Sequence, residues 1–159
     1  MAEWMLFIDG SVNTKTNIGY GAYLAVSEGG FSLDSLRMRV KVRRFEQTSS
    51  TKLELQTLLW AISDIQALVN RVTVYTDSQN IMGLPGRRER FAKNDYRSKK
   101  NKRLNNYELY QEFYKMTDPL DFVFVKLQGH QVSNQKDDIE RLFALVDRAS
   151  RNALRGGNR

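Results

Sequence analysis

The chain has 159 residues, 41% of them apolar, and a formal net charge of +7 at pH 7, values typical of a single globular domain. It contains no cysteine, which excludes disulfide bonds and thiolate metal ligands. It shows neither a signal-peptide pattern nor an apolar run long enough to span a bilayer, so we expect a cytoplasmic monomer without a membrane segment.

The spacing of apolar residues predicts five strands and four helices in the order βββαβααβα. Strands are predicted at 4–8, 19–26, 36–43, 72–76 and 121–127, and helices at 51–69, from Ser78, at 104–116 and at 137–154. The helix at 51–69 should bury the apolar residues that recur at helical spacing: Leu55, Leu58, Leu59, Ile62 and Ile65. In 36–43, apolar and basic residues alternate strictly, which predicts a half-buried strand. A three-strand meander followed by βαβ units implies an α/β fold with a mixed sheet between helices. We expect one domain over 1–155 and a frayed tail at 156–159.

All of the excess charge lies in residues 87–103, "RRERFAKNDYRSKKNKR", which hold nine basic and two acidic residues. The preceding "LPG" predicts a turn, so we interpret 87–103 as a basic insertion in loop conformation. A charge run is usually a solvated loop. Because this one carries the entire net charge, with Phe91 and Tyr96 among its cations, we favour a phosphate-binding role. The candidate contacts are Arg87, Arg88, Lys99 and Lys100.

Asp9 and Asp77 each follow an apolar strand-like run, in "MLFIDGS" and "VTVYTDS". Each also has a local explanation, because Asp-Gly is a strong turn dipeptide and Asp77 precedes a predicted helix that it would cap. If the two strands are parallel neighbours, both acids lie at the sheet edge where open α/β sheets place their sites.

Two further acids lie on predicted helices and have local explanations of their own. Glu54 stands three residues after Thr51, as in a capping box, and Asp147 stands one turn before Arg151, as in a helical ion pair. If the acids converge, each carboxylate pair costs roughly 3 kcal/mol at an effective dielectric constant of about 20, so the cluster requires cations. Oxygen ligands favour Mg²⁺ or Mn²⁺, and two such ions suit phosphoryl displacement. Spacing alone leaves the metal cluster and the separate caps as alternatives.

Several segments, in order along the chain, resemble the motifs of type 1 ribonucleases H. They are "FIDGS", "TSSTKLEL", "YTDSQ", "NYELYQEF", "FVKLQGHQ" and "VDRASRNA". The resemblance implies a ribonuclease H-like fold, with a five-stranded mixed sheet flanked by helices. It also implies an enzyme that cuts the RNA strand of RNA–DNA hybrids with two metal ions and leaves 5′-phosphate and 3′-hydroxyl ends.

The same resemblance implies roles for individual residues. The metal ligands would be Asp9, Glu54, Asp77 and Asp147. His130, the single histidine, would move a proton near neutral pH or help the product leave. The expected substrate contacts near the acids are Gly10, Ser11, Ser50, Thr51 and Gln79, with local capping as the alternative explanation for the hydroxyl and amide groups.

The chain departs from the family pattern in ways that keep alternatives open. Ser50 and Thr51 stand where the family commonly has asparagines. His130 and Asp147 are 17 positions apart, more than the family's usual spacing, and Asp138 is therefore a rival fourth acid, although "DRASRNA" favours Asp147. The alternatives in function are a catalytically silent binding module for hybrids or duplexes, and a DNA nuclease on the same fold.

Overall fold

The computed structural model describes residues 3–27, 36–127 and 138–157. The strands are β1 (Glu3–Asn13), β2 (Ile18–Ser27), β3 (Lys41–Phe45), β4 (Arg71–Thr76) and β5 (Asp121–Lys126). The helices are α1 (Ser50–Ile65), α2 (Gln79–Lys93), α3 (Tyr107–Thr117) and α4 (Asp138–Gly157). The predicted order of elements is confirmed. No helix within the described ranges is both long and apolar enough to cross a membrane.

The five strands form one mixed sheet in the order β3-β2-β1-β4-β5. β2 is antiparallel to both β1 and β3, whereas β1–β4 and β4–β5 are parallel pairs. Four residues join β1 to β2, and helical crossovers are required between the parallel strands. The mixed sheet expected from the order of elements is therefore confirmed.

Helices cover both faces of the sheet, so successive residues of β1 enter different cores. Leu6 and Ile8 belong to the core beneath α1 and α3, and Phe7 belongs to the core beneath α4. This two-sided burial explains why the strand reads as a continuous apolar run. The face predicted for α1 is confirmed, because all five of its residues are buried: Leu55, Leu58, Leu59, Ile62 and Ile65.

β1 is longer than predicted, and Asp9-Gly10 is not a turn. Pairing with β2 continues from Asp9 opposite Ala22 to Asn13 opposite Ile18. The apolar run ends earlier because helix α1 lies directly on this part of the sheet. A Cβ placed on Gly10 would lie 2.9 Å from Leu53 Cδ2, so the sequence carries glycine there instead of another apolar side chain.

The predicted strand at 36–43 is wrong in its bounds and its burial. Residues 36–37 are helical and the chain turns at 38–39, so β3 begins at Lys41. Leu36 is buried, but Met38 is 88% exposed and Val42 41% exposed. The alternating pattern misleads because four of the five residues of β3 are exposed, so neither face of this edge strand is buried in a core.

The "LPG" turn is also wrong, because Pro85 lies inside α2, a helix of 15 residues. This helix buries Ile81, Leu84 and Phe91. Tertiary packing of this apolar face outweighs the cost of one proline to helix stability. Residues 87–93 are therefore helical, and the loop comprises 94–103. At the other end of the chain, α4 continues to Gly157, two residues into the expected tail.

Gly21→Ala is expected to lower the free energy of unfolding by about 1–3 kcal/mol. A Cβ at this position of β2 would overlap the Thr57 side chain of α1, so helix and sheet would have to separate. Urea denaturation of Gly21→Ala, Thr57→Ala and the double variant measures this coupling. The loss in free energy of unfolding of the double variant should be smaller than the sum of the losses of the two single variants.

Gly86→Ala is the matched control. This glycine lies inside α2, and a Cβ there would meet nothing within 4 Å. The change should therefore raise the free energy of unfolding by roughly 0.5–1 kcal/mol. Equal stability of the Gly21→Ala variant and the parent would contradict the proposed tight contact between α1 and β2.

Candidate active site

The parallel pairing of β1 with β4 brings two acids to one edge of the sheet. Phe7 lies opposite Tyr75, so Asp9 and Asp77 occupy equivalent positions two residues further on. Asp9 lies within β1, and Asp77 directly follows β4. The expectation that the two aspartates share a sheet edge is confirmed, whereas Asp77 does not cap α2, because the N-cap is Ser78.

Helix α1 brings Glu54 to the same edge. Asp9, Glu54 and Asp77 line a common cavity together with Ile8, Thr57 and Thr76, and Glu54 Oε2 accepts a hydrogen bond from Ser78 Oγ. The capping-box interpretation is wrong, because Ser49 caps α1 by accepting from Lys52 N at 3.2 Å. Glu54 instead lies one turn inside the helix, where its side chain faces the two aspartates.

Helix α4 brings Asp147 to this edge from the opposite face of the sheet. Its carboxylate shares a hydrogen bond with Asp9 and forms the predicted ion pair with Arg151, with Oδ1 3.0 Å from Nε. The hydroxyl groups of Ser11 and Ser150 lie 3.0 Å apart and join β1 to α4 beside the two acids.

Asp138, the rival for the fourth position, lies at the other end of α4. It is exposed and lies 3.5 Å from Arg141. Nine residues separate it from Asp147, which corresponds to about 13 Å along the helix axis. The structure therefore places Asp147, and not Asp138, beside Asp9.

Burial and mutual repulsion raise the pKa values of three of the acids. The pKa of Asp9 rises to about 8 because the side chain is buried, because its protonated form is hydrogen-bonded to Asp147, and because Asp77 is close. Burial, with repulsion from a neighbouring acid, also raises the pKa of Glu54 and of Asp77. Arg151 and Lys126 act in the opposite direction on the pKa of Asp77.

The donor chemistry of this cluster fits a hard divalent cation, although the side chains do not encircle one as they stand. Within 3–27, 36–127 and 138–157, no three His, Asp or Glu residues form a group that could hold a metal ion. Asp9 is engaged with Asp147 and Glu54 with Ser78. Positive charge at this edge would offset the repulsion that, together with burial, raises the pKa values of Asp9, Glu54 and Asp77, and oxygen ligands suit Mg²⁺.

The residues expected to contact substrate near the acids have structural partners or are exposed. Gly10 lies against Leu53, and Ser11 contacts Ser150. Gln79 Oε1 accepts from Lys126 Nζ at 2.7 Å. Ser50 and Thr51 begin α1 beside the cluster, and Ser50 is exposed. His130 lies outside the described residues.

The basic segment 87–103 is built around an aromatic anchor. Phe91 is 8% exposed and stacks on Tyr110 at 5.0 Å, so it supports the segment instead of facing solvent. A concave surface is lined by Arg90, Asn94, Arg97, Ser98, Lys99, Asn101 and Leu104 together with Phe91.

The four cations singled out in this segment differ in how they are held. Arg88 pairs with Asp118, and Nη2 of the arginine lies 2.8 Å from Oδ2 of the aspartate. The guanidinium group of Arg88 lowers the pKa of Asp118. Arg87 donates to the Asn80 side chain at 3.0 Å. Lys99 and Lys100 are exposed.

Sequence reasoning missed Ser78 and Lys126 as parts of the site. Lys126 pairs with Thr76 across β4 and β5, so the rule that parallel strands end at a common edge would have found it. Ser78 was seen only as the start of a helix. Its contact with Glu54 depends on how α1 lies on the sheet, and no local pattern encodes that position.

Comparisons with known proteins agree with this geometry. The RNase H family model matches residues 1–149. A Chlorobaculum parvum protein named Ribonuclease H is 28% identical over 100 residues, which span 60% of this chain and 68% of that protein.

Two solved structures share the fold. The solution structure of the PFV RNase H domain matches with a TM-score of 0.76 at 16% identity, over 95% of this chain and 93% of that one. The foamy viral protease-reverse transcriptase in complex with dsDNA matches with a TM-score of 0.64 at 11% identity, over 94% of this chain and 93% of that one. The predicted fold class is confirmed.

Asp9→Asn is expected to stabilise the protein in EDTA, and more at pH 8 than at pH 5. The native state retains a proton on Asp9 up to about pH 8, while the unfolded chain loses it near pH 4, so the free energy of unfolding falls between these values. At about 1.4 kcal/mol per pKa unit, the stabilisation of Asp9→Asn relative to the parent should grow by roughly 3–4 kcal/mol between pH 5 and pH 8.

Urea denaturation at pH 5 and pH 8 measures this effect. The control is Asp138→Asn, which removes an exposed acid beside Arg141 and retains Asp9, so its stability should follow the same pH profile as that of the parent. Parallel pH profiles for Asp9→Asn and the parent would show that Asp9 is not protonated in the folded protein.

Proposed function

Since this chain belongs to the RNase H family and is a ribonuclease H enzyme, we propose that it hydrolyses the RNA strand of RNA–DNA hybrids with divalent metal ions, leaving 5′-phosphate and 3′-hydroxyl ends. One observation carries this proposal. Four acids reach one sheet edge from β1, α1, the end of β4 and α4, and burial and mutual repulsion raise the pKa values of three of them. A catalytically silent binding module would have no use for such a cluster.

We assign the metal ligands as Asp9, Glu54, Asp77 and Asp147, with Mg²⁺ as the expected ion and Mn²⁺ as a substitute. When bound, two such ions supply an activated water and neutralise charge on the leaving oxygen. The chain's part is to bind and orient them. Asp9 must give up the proton that it shares with Asp147, while Arg151 and Lys126 favour the ionised form of Asp77.

His130 completes the proposed catalytic set as the group that transfers a proton or helps the product leave. A histidine is suited to this task because its ordinary pKa lies near neutral pH. The assignment rests on the resemblance of "FVKLQGHQ" to the family's histidine loop.

The substrate contacts are proposed to lie around the edge that carries the acids. Ser50 and Thr51 begin α1, the helix that carries Glu54, and Gln79 begins α2 two residues after Asp77. Gly10 and Ser11 follow Asp9 on β1. Hydroxyl and amide groups at these positions suit the 2′-hydroxyls of a wide minor groove, so we expect no base-specific binding.

Residues 87–103 are proposed to bind the phosphate backbone of the hybrid. Lys99 and Lys100 are exposed, and Lys99 lines the concave surface with Arg90 and Arg97. Arg87 and Arg88 extend the basic surface along α2, where Asp118 compensates the charge of Arg88. Contacts of this kind add affinity without sequence preference and weaken with salt.

The test of this function uses one end-labelled strand in four duplexes: RNA–DNA labelled on the RNA, RNA–DNA labelled on the DNA, RNA–RNA and DNA–DNA. Each is incubated with the protein in Mg²⁺, Mn²⁺ or EDTA. We expect metal-dependent cutting of RNA in the hybrid alone. Hybrid binding without cutting would instead identify a binding module, and cutting of DNA a DNA nuclease.

In the same assay, Asp147→Asn should lose more than about 100-fold in kcat, because loss even of a group that only orients a ligand commonly costs about 10–100-fold. Asp138→Asn is the matched control on the same helix and should cleave as the parent does, since Asp138 pairs with Arg141 at the far end of α4. The reverse result would transfer the fourth ligand position to Asp138.

Replacing Lys99 and Lys100 together with alanine should weaken hybrid binding and reduce the slope of log K against log salt concentration by roughly 2, about one for each lost phosphate contact. Fluorescence anisotropy in EDTA from about 50 to 200 mM salt measures it. Lys115→Ala changes an exposed cation on α3, outside the basic segment, and should leave the slope near that of the parent. Identical slopes for all three proteins would show that the two lysines do not contact phosphate.

A further inference from the structure

Ser78 joins two helices at the acid cluster through one hydroxyl group. Its Oγ accepts from Ile81 N at 3.1 Å, which caps α2, and donates to Glu54 Oε2 of α1. A hydroxyl has one hydrogen to donate and two lone pairs to accept with, so both bonds form at the same time. The serine therefore links the start of α2 to an acid on a different element.

The surroundings of Ser78 fix the direction of this hydroxyl. The residue is 4% exposed, so water does not compete freely for Oγ. Its backbone N–H donates to Thr76 Oγ1 at 3.0 Å, and Thr76 is 2% exposed. The chain is thus held on both sides of Ser78 where β4 passes into α2.

Glu54 is the acid that most needs such a contact. Glutamate has more rotatable side-chain bonds than aspartate, so ordering it costs more side-chain entropy. It also faces Asp77 across the cavity, and the like charge of Asp77 favours rotamers that turn Glu54 away.

We propose that Ser78 is a positioning residue that holds Glu54 in the orientation required to bind a divalent ion, while it caps the helix that carries Gln79. This inference rests on the proposed function, since it assigns Glu54 as a metal ligand. Ser78 itself touches neither the reacting atoms nor the ion. Groups that orient a metal ligand in this way commonly contribute 10–100-fold to metal affinity.

Three variants separate the two roles of the hydroxyl. Ser78→Ala removes the hydrogen bonds to Ile81 and Glu54, and Ser78→Gly also lacks the hydroxyl but retains most of the capping preference. Ser78→Thr keeps the hydroxyl. Mn²⁺ binding to the free protein is measured by titration calorimetry, with thermal unfolding in EDTA and hybrid cleavage alongside. Ser78→Ala and Ser78→Gly should weaken Mn²⁺ binding by roughly 10-fold or more, whereas Ser78→Thr should remain within about 3-fold of the parent.

Ser49→Ala is the matched control for capping alone. Ser49 caps α1 by the same kind of bond, to Lys52 N at 3.2 Å, so its loss should lower the unfolding temperature as Ser78→Ala does but leave Mn²⁺ affinity unchanged. Parent-like Mn²⁺ affinity in Ser78→Gly, or equal weakening in Ser49→Ala, would overturn the proposal. If the parent neither binds Mn²⁺ nor cleaves the hybrid, the proposed function fails instead.

Discussion

The close approach of α1 to the backbone of β1 and β2 is the contact on which the candidate site depends. Leu53 lies against Gly10, and Thr57 fills the space where Gly21 has no side chain. Glu54 stands between these two contacts on the helix, so the depth at which α1 sits decides whether its carboxylate reaches the sheet edge. Larger residues at Gly10 and Gly21 would push α1 away from the sheet and move Glu54 away from the two aspartates.

The carboxylates at this edge oppose folding, and the rest of the molecule has to offset them. Buried acids with raised pKa values destabilise the folded state at neutral pH, and strained sites of this kind commonly trade stability for function. The two cores on either face of the sheet are the compensation, because Leu6, Ile8 and Phe7 are almost completely buried next to Asp9 in the chain. A rigid strand thereby holds Asp9 where repulsion would otherwise move it.

Local sequence patterns predicted the features that depend on local physics. The apolar runs ending at Asp9 and Asp77, and the helical spacing of α1, were sufficient to place strands, a helix face and a shared edge. They failed where tertiary contacts decide: Pro85 lies inside a helix because its neighbours are buried, and Thr51 suggested a cap that Ser49 forms. The contacts between elements that complete the site, such as that between Ser78 and Glu54, have no signature in sequence spacing.

The same distinction applies to the charge of residues 87–103. Composition indicated a polyanionic partner, but the structure separates cations that organise the segment from those that face solvent. Asp95 lies 3.4 Å from Arg103 and 3.5 Å from Arg97, so these ion pairs fix the loop internally. Arg103 also stacks on Tyr107, which holds the loop to α3. A loop shaped in this way before binding loses less conformational entropy when phosphates arrive. The exposed lysines can therefore contribute to affinity although they lie on an irregular segment. A mobile segment of the same composition would contribute less, because it would lose more conformational entropy on binding.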